Sequence, residues 1–512
     1  MKSSSGNKRH VLIRYSDARS IDALTIEQGN DETLLMGLAA AGALHHLKQD
    51  YLAQFWAIKG LQLIILCGSG NNGGDGLALA SLLCADPDRR SGDDDINERM
   101  RIYALPAKTA AAKFYQAKLQ RQGVRIRPLQ DFPQDAAELI CIEGLTIVEA
   151  LLGTGQSRPP SGDIASALQA IGRMQTISRA ALVALDVPAG LTESEGLAQH
   201  APVPDCVYTF GFEKAVTSLI PGLRIRRIAC GFEAQIEAAV LSRSTPVYRS
   251  ESTSPEPFFQ RDMADHKYIA GHAWMVAGEY DMEGAALLSL QAFLRSGGGY
   301  VRLFHPAPES RLRYLSVLPS VIYHAASDFV KACEEDRPPR SILIGPGMRP
   351  ETIAALRESL IKGLTILNQR RPLTVILDAA ACSLAFDERF PELRCLITPH
   401  TGEWNALGGP SVRCVDDLEP ARVFSGDIYT YLKGPVSFLF GPDGIDVYNA
   451  PLPSLAVAGS GDLFAGLLLR AACGHLADRP IPEIVSACVA LQHRSAGMHP
   501  EQQLKVLQEL LS

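Results

Sequence analysis

Residues 66 to 80 read LCGSGNNGGDGLALA, and Gly68, Gly70 and Gly73 satisfy the G-x-G-x-x-G spacing of a dinucleotide-binding turn. A hydride-carrier site also needs an acidic residue at the end of the next strand, to hold the ribose hydroxyls. Here that strand ends in Tyr103-Ala104-Leu105-Pro106, and the nearby Asp86, Asp88 and Asp93 to Asp95 fall in a charge run. The spacing alone is therefore weak support for ordinary hydride transfer. The polar centre says more. Backbone amides at a helix start hold phosphate, while Asn71, Asn72 and Asp75 add side-chain oxygens suited to sugar hydroxyls or a hard cation. The bland alternative is that they cap a helix beginning near Asp75. A second glycine turn, GTGQSRP at 153–159, offers Arg158 to a phosphate or to solvent. Asp186, in LDVPAG, ends an apolar strand, where α/β sheets place ligand sites; a turn aspartate is equally compatible. In AGSGDLFAG, at 458–466, glycines precede Asp462 at a helix start. Free amides there hold an anion while the carboxylate deprotonates a hydroxyl, as phosphoryl transfer requires; an aspartate stabilised by the helix dipole is the alternative. No Walker-type G-x-x-x-x-G-K-[ST] occurs, which disfavours a P-loop enzyme.

The totals narrow the partners. The chain has 512 residues and a formal charge of -7. Its basic residues are spread out, so no electrostatic footprint for nucleic acid is present. Eleven cysteines without a C-x-x-C pair suggest neither a zinc site nor a disulfide framework, and fit a reducing compartment. The start of the chain lacks an apolar signal region, and apolar runs such as Leu61 to Cys67 are too short to span a bilayer. A cytoplasmic protein that does not engage a membrane is expected.

The elements that must carry these residues are short apolar runs separated by turns and helical periods. In the first half the strands expected are 61–68, 99–106, 145–153, 181–190 and 205–211. Such runs describe a parallel sheet covered on both faces. A polar, Pro- and Ser-rich stretch at 248–262 marks a boundary, and further strands are expected at 273–279, 300–306, 341–347, 373–379, 395–400 and 436–441. The charge run at 86–101 reads as a solvated loop. No repeat relates the halves, so two different α/β domains are expected, at 1–245 and 255–512.

The order GSGNNGGDG, GTGQSRP, DVPAG and TFGFEKA (209–215) resembles the N-terminal domain of the YjeF family, the NAD(P)H-hydrate epimerases, over roughly residues 10 to 240. The resemblance implies a Rossmann-like three-layer αβα fold that interconverts R and S hydrated NAD(P)H, with potassium near the site. Carried over, Asn71, Asn72, Gly73, Gly74 and Asp75 contact substrate, as do Gly153, Thr154, Gly155, Gln156, Ser157, Arg158 and Pro159. Asp186 binds substrate and moves a proton, and Asn72, Glu149 and Ala189 fall at the potassium positions. The chemistry fits, since a hemiaminal carbon epimerises by ring opening or by loss of hydroxide, and either needs a positioned acid or base. The chain departs from the family pattern at Glu149, where aspartate is usual, at Ala189, where serine is usual, and at Gly37, where a helix glutamate is usual.

The second half carries HKYIAGHAWMVAGEYDMEGAALLSLQAFLRSGGGYV (266–301), LIGPG (343–347), ITPHTGEWNAL (397–407), YLKGPVSFLFG (431–441) and AGSGDLFAG. Together these resemble the ribokinase-like C-terminal domain of the same family, the ADP/ATP-dependent NAD(P)H-hydrate dehydratase. The resemblance implies that ADP or ATP phosphorylates the hydrate hydroxyl, with Mg2+, and that phosphate then leaves. Carried over, Asp462 is the base, Ala285, Gly347 and His400 line the hydrate site, and Lys433, Gly434, Pro435, Val436, Ser437 and Gly461 form the nucleotide site. Departures occur at Ala380, where the family has aspartate, and at Pro435, which removes a backbone donor. The resemblance thus implies a two-domain repair enzyme acting on NADHX and NADPHX with an adenine nucleotide, and a homo-oligomer is expected. The rival readings are a ribokinase-like small-molecule kinase and a dehydratase whose first domain only binds a ligand or partner.

Overall fold

The computed structural model describes residues 9–57, 59–88, 96–232, 245–250, 253–261, 265–496 and 499–511. Residues 89–95 of the charge run expected as a loop lie outside the described residues, as do 251, 252 and 262 of the boundary stretch; the end of the run is not a loop, since Ile96–Arg99 form a short helix and a strand starts at Met100. The chain divides into two compact units, one of residues 11–247 with 412–418, the other of residues 1–10, 248–411 and 419–512.

The unit built on residues 11–247 is a seven-stranded sheet. Its strands are β1 (Leu63–Cys67), β2 (Met100–Ala104), β3 (Ile126–Pro128), β4 (Thr146–Ala150), β5 (Ala181–Leu185), β6 (Cys206–Phe210) and β7 (Arg224–Ile228), in the spatial order β7-β6-β5-β4-β1-β2-β3. Every pairing is parallel. Successive strand residues face opposite sides. In β1, Leu63, Ile65 and Cys67 pack with the helices at 32–50, 71–84 and 110–121, whereas Ile64 and Leu66 pack with the helices at 132–139 and 162–178. Both faces are buried, so the strand reads as an unbroken apolar run. Three helices position the site: α1 (Tyr15–Glu27), α2 (Glu32–Asp50) and α3 (Asn71–Cys84).

The other unit has a mixed sheet of β8 (His272–Val276), β9 (Tyr300–His305), β10 (Ile322–Ala325), β11 (Ser341–Ile344), β12 (Thr374–Leu377), β13 (Arg394–Ile397), β14 (Tyr429–Leu432), β15 (Ser437–Gly441) and β16 (Gly444–Tyr448). The order is β16-β15-β14-β13-β12-β11-β8-β9-β10. It is parallel from β10 to β14 and antiparallel from β14 through β15 to β16. On one face Ala273 and Met275 pack with the helices α4 (Glu283–Arg295), α5 (Ser460–Ala471) and α6 (Ile481–Arg494). On the other, Trp274 and Val276 pack with the helix Pro350–Arg370. The start of the chain closes one end of this unit: Arg9 Nε donates to Asp446 Oδ1 at 2.8 Å, and Ser250 Oγ to the same atom at 2.6 Å.

All eleven cysteines are free, with Cys141 exposed and the other ten buried as small apolar side chains. Among the described residues no helix is long and apolar enough to cross a membrane.

Candidate active sites

In the first unit the chain runs from β1 to β2 on one side and later returns to β4 on the other, so the sheet has its topological switch point between β1 and β4. Ligands of open α/β sheets bind outside the strand ends at such a point. The turns that follow these two strands touch there. Asn72 Nδ2 donates to Leu152 O at 2.7 Å, and Gly68 N donates to Ala150 O at 2.9 Å. A side chain on Gly68 would strike the Leu151 carbonyl, and one on Gly73 the Gly68 carbonyl. Gly74 faces Met36 and Ala112 in the same way. These glycines therefore let α3 and the neighbouring turn pack tightly; they do not hold space open for a ligand. Helix α3 begins at Asn71, with Gly70 as its cap residue. Asp75 thus lies a turn inside the helix and caps nothing.

A cavity of about 610 Å³ opens over this point, lined by Asn71, Asn72, Gly73, Asp75, Gly153, Thr154, Gly155, Gln156 and Asp186. Ser157, Arg158 and Pro159 are exposed and lie outside its lining, so the second glycine turn faces the cavity only through its first half. Gln156 braces that turn: its Nε2 donates to Pro188 O at 3.0 Å, and its Oε1 accepts from Gly190 N at 2.7 Å.

Asp186 sits at φ +61, in the left-handed region. A non-glycine residue is uncommon there, although aspartate is among those enriched. It ion-pairs with the buried Lys214 and accepts from Phe210 N at 3.2 Å. Lys214 Nζ also donates to Phe210 O at 2.9 Å and Thr209 Oγ1 at 3.2 Å. Burial, reinforced by the charge of Asp186, holds the Asp75 carboxyl well above the usual carboxylate range. Burial likewise pushes Asp22, on α1, up to about 6, with Asp186 adding to it.

Glu149 is fully buried, and its oxygens accept from Leu151 N at 2.6 Å and Ala189 N at 3.0 Å. Burial raises its carboxyl to about 7, against the pull of those amides. Asn72 Oδ1 is buried and has no hydrogen-bond partner. An orphaned carboxamide oxygen and a buried carboxylate are hard donors of the kind that suit an alkali cation.

Lys214 was legible only as part of TFGFEKA, with no role attached. Arg19, Asp22 and Glu32 also line the cavity, and Arg19 donates to Thr154 O. They come from α1 and the start of α2, where nothing in the sequence marks them as more than surface charge.

In the second unit, Gly459 at φ +89 turns the chain into α5, so Asp462 lies in its first turn, where amides lack helix partners. Burial, aided by the charges of Asp378 and Glu403, raises Asp462 to about 6, against the opposing charge of Lys433. Asp378 ends β12 and is itself buried; it accepts from Lys433 Nζ at 2.8 Å and Thr398 Oγ1 at 2.7 Å. Burial works against the Lys433 ammonium, but the charge and hydrogen bond of Asp378 outweigh it and hold Lys433 above the usual lysine value. Lys433 Nζ lies 3.6 Å from where a Gly461 side chain would begin. The structure thus gathers Asp378, Lys433, Gly461 and Asp462.

His400 bridges to Lys433 along the backbone and caps the short helix that follows, its Nδ1 accepting from Gly402 N at 2.9 Å. The turn Gly434-Pro435-Val436-Ser437 closes on itself, with Gly434 N donating to Ser437 Oγ at 3.3 Å and Pro435 exposed. Ala285 and Gly347 meet: a side chain on Gly347, at φ +67, would come within 3.1 Å of Ala285 Cβ. Asp378 was not singled out for a role in the sequence; its place near the end of the apolar strand expected at 373–379 was the available signal.

A ligand cavity at the switch point of a parallel sheet, together with an aspartate at a helix start beside a half-buried lysine, defines a two-domain α/β enzyme. Comparison with known proteins makes this specific. Residues 32–216 match the family model for the YjeF-related protein N-terminus, and residues 273–510 match that for NAD(P)H-hydrate dehydratase. Among curated proteins, the bifunctional NAD(P)H-hydrate repair enzyme Nnr of Thermofilum pendens is 28% identical over 89% of this chain and 86% of its own length. That of Salinibacter ruber is 26% identical over 88% of this chain and 85% of its own. A solved ADP/ATP-dependent NAD(P)H-hydrate dehydratase from Bacillus subtilis, co-crystallised with ATP and Mg2+, is 25% identical, with TM-score 0.40, over 49% of this chain and 94% of its own. The chain belongs to the family of two-domain NAD(P)H-hydrate repair enzymes, which join a YjeF-type epimerase domain to an NAD(P)H-hydrate dehydratase domain.

Proposed function

We propose that the first unit of this chain interconverts the R and S forms of hydrated NAD(P)H through Asp186, and that the second dehydrates the S form at the expense of ADP or ATP through Asp462. The observation that carries this reading is that each of the two family matches spans its own gathered set of polar residues, Asn72–Asp186–Lys214 in one unit and Asp378–Lys433–Asp462 in the other. In the dehydratase, Asp462 takes the proton of the hydrate hydroxyl as it attacks the terminal phosphate. Lys433 offers positive charge, and the amides at the start of α5 offer donors, to the phosphate oxygens. Phosphorylation turns a poor leaving group into a good one, and loss of phosphate from C6 together with a proton from C5 restores the reduced ring. His400, Gly347 and Ala285 would line the hydrate side.

Among the described residues no group of three or more His, Cys, Asp or Glu could hold a metal ion. Mg2+ would therefore arrive as the nucleotide's chelate, with most of its ligands supplied by phosphate and water. In the epimerase, Asn72 Oδ1, the Glu149 carboxylate and the Ala189 carbonyl would hold K+, whose charge would offset that of the buried Glu149.

The test is to incubate the purified chain with mixed R and S NADHX, with and without ADP or ATP, while following the reduced-nicotinamide absorbance. Regeneration should require nucleotide, vanish on Asp462→Asn, and on Asp186→Ala should leave the R form behind. Regeneration without nucleotide, or an Asp462→Asn variant of full activity, sinks the mechanism.

A further inference from the structure

We propose that Asp75 is the general acid that works opposite Asp186, so that the first unit epimerises through a pair of carboxyl groups, with Lys214 as the positioning residue that decides which is the base. The proposal rests on the repair reading given above.

The two carboxyl groups line one cavity but come from different elements, Asp75 from within α3 and Asp186 from the turn after β5. Their surroundings are opposite. Asp186 has the Lys214 ammonium and a backbone N–H. Lys214, itself buried, spends its three donors on Asp186, Thr209 Oγ1 and Phe210 O. Asp75 has burial and the negative charges of Asp186, Asp22 and Glu32 around it, with Lys214 as a weaker opposing influence. The other cation of the lining, Arg19 on α1, donates to Thr154 O, and Tyr15 on α1, Tyr115 on the helix 110–121, and Cys67 and Cys230 bring no positive charge. Two acids in one cavity, one given a countercharge and one denied it, are the arrangement from which acid and base roles are assigned.

The proton balance closes. The Asp186 carboxylate takes the proton of the C6 hydroxyl, the C6–O bond becomes a carbonyl as the N1–C6 bond breaks, and the electron pair left on N1 takes a proton from Asp75. Rotation about C5–C6 presents the other face of the aldehyde. Ring closure then reverses each transfer: N1 attacks C6, the N1 proton returns to Asp75, and the new alkoxide takes its proton from Asp186. Nothing is oxidised or reduced, and no co-reactant is consumed.

The full chain provides its own control, because excess ATP draws off S NADHX directly and R NADHX only after epimerisation. Asp75→Asn should lower kcat for R consumption by roughly 10²–10⁴-fold, with KM within a few fold and S consumption as in the parent protein. Asp75→Ala should recover part of its rate with added formate, and Lys214→Met should lose kcat that Lys214→Arg partly restores. An Asp75→Asn protein with parental kcat on R NADHX, a change confined to KM, or an Asp75→Ala protein that S consumption shows to be folded but formate leaves inert, overturns the proposal. A parent protein that consumes S but never R NADHX overturns instead the epimerase reading on which it rests.

Discussion

At the scale of the residue, the second unit offers a sharp dependence on pH. Burial raises Asp462 to about 6, and its role as a base requires the ionised form. Nucleotide-dependent regeneration should hold at pH 7 to 8 and fall about tenfold per unit below pH 6. Because the Lys433 charge lowers the Asp462 value, Lys433→Met should move this acid limb toward neutrality as well as weaken nucleotide binding; kcat/KM measured from pH 5 to 8 reads both. Much of this chemistry was legible in the sequence. Asp186 and Asp462 stand in short motifs whose glycines and strand ends announce a site. Asp378 and Lys214 were not assigned, because a buried ion pair depends on two side chains far apart in sequence, which no local pattern records. Arg158 stands apart from these: an arginine after a glycine turn suggests either phosphate or solvent, and it is exposed, outside the cavity lining.

At the scale of the element, the tightest joint is between β1 and α3. A Gly73 side chain has no space because the Gly68 carbonyl fills it. Gly73→Ala should therefore force backbone movement, at a cost on the order of 3 kcal/mol. The expected outcome is a lower melting temperature for the first unit and lost R consumption, with S consumption retained; unchanged melting would show that the turn yields more readily than its packing implies. The central strands were readable because burial on both faces makes them continuous apolar runs. The edge strands were not. β3 has three residues, none buried, and β7 reads Arg-Ile-Arg-Arg-Ile, with all three of its arginines exposed. Strands with one neighbour and charged side chains lack the signal that reveals buried ones. Helix α1 went unmarked for a different reason, since its cavity-lining residues mix apolar Ala18, Ile21 and Ile26 with charged Arg19 and Asp22 and form no motif.

At the scale of the whole molecule, the compact units are not continuous stretches of chain. Residues 1–10 belong with the second unit, and 412–418 with the first. Composition marks the polar stretch near 250 but cannot show such exchanges, which are made by single contacts. Arg9 with Asp446 is one of them: Asp446 is 2% exposed and Arg9 26%. Removing the arginine leaves a buried carboxylate without its countercharge. Arg9→Met should destabilise the second unit by on the order of 3 kcal/mol, or roughly 6–12 °C in melting temperature for a unit of this size. Calorimetry reads this in the transition that ATP shifts, and an unaltered transition would show that Ser250 suffices for Asp446. The same contact sets a timetable for synthesis. Arg9 and Asp446 are 437 residues apart, so at translation rates of about 5–20 residues per second the arginine leaves the ribosome roughly 20–90 s before its partner exists. The half of the pair made earlier is settled only once the later half has been made.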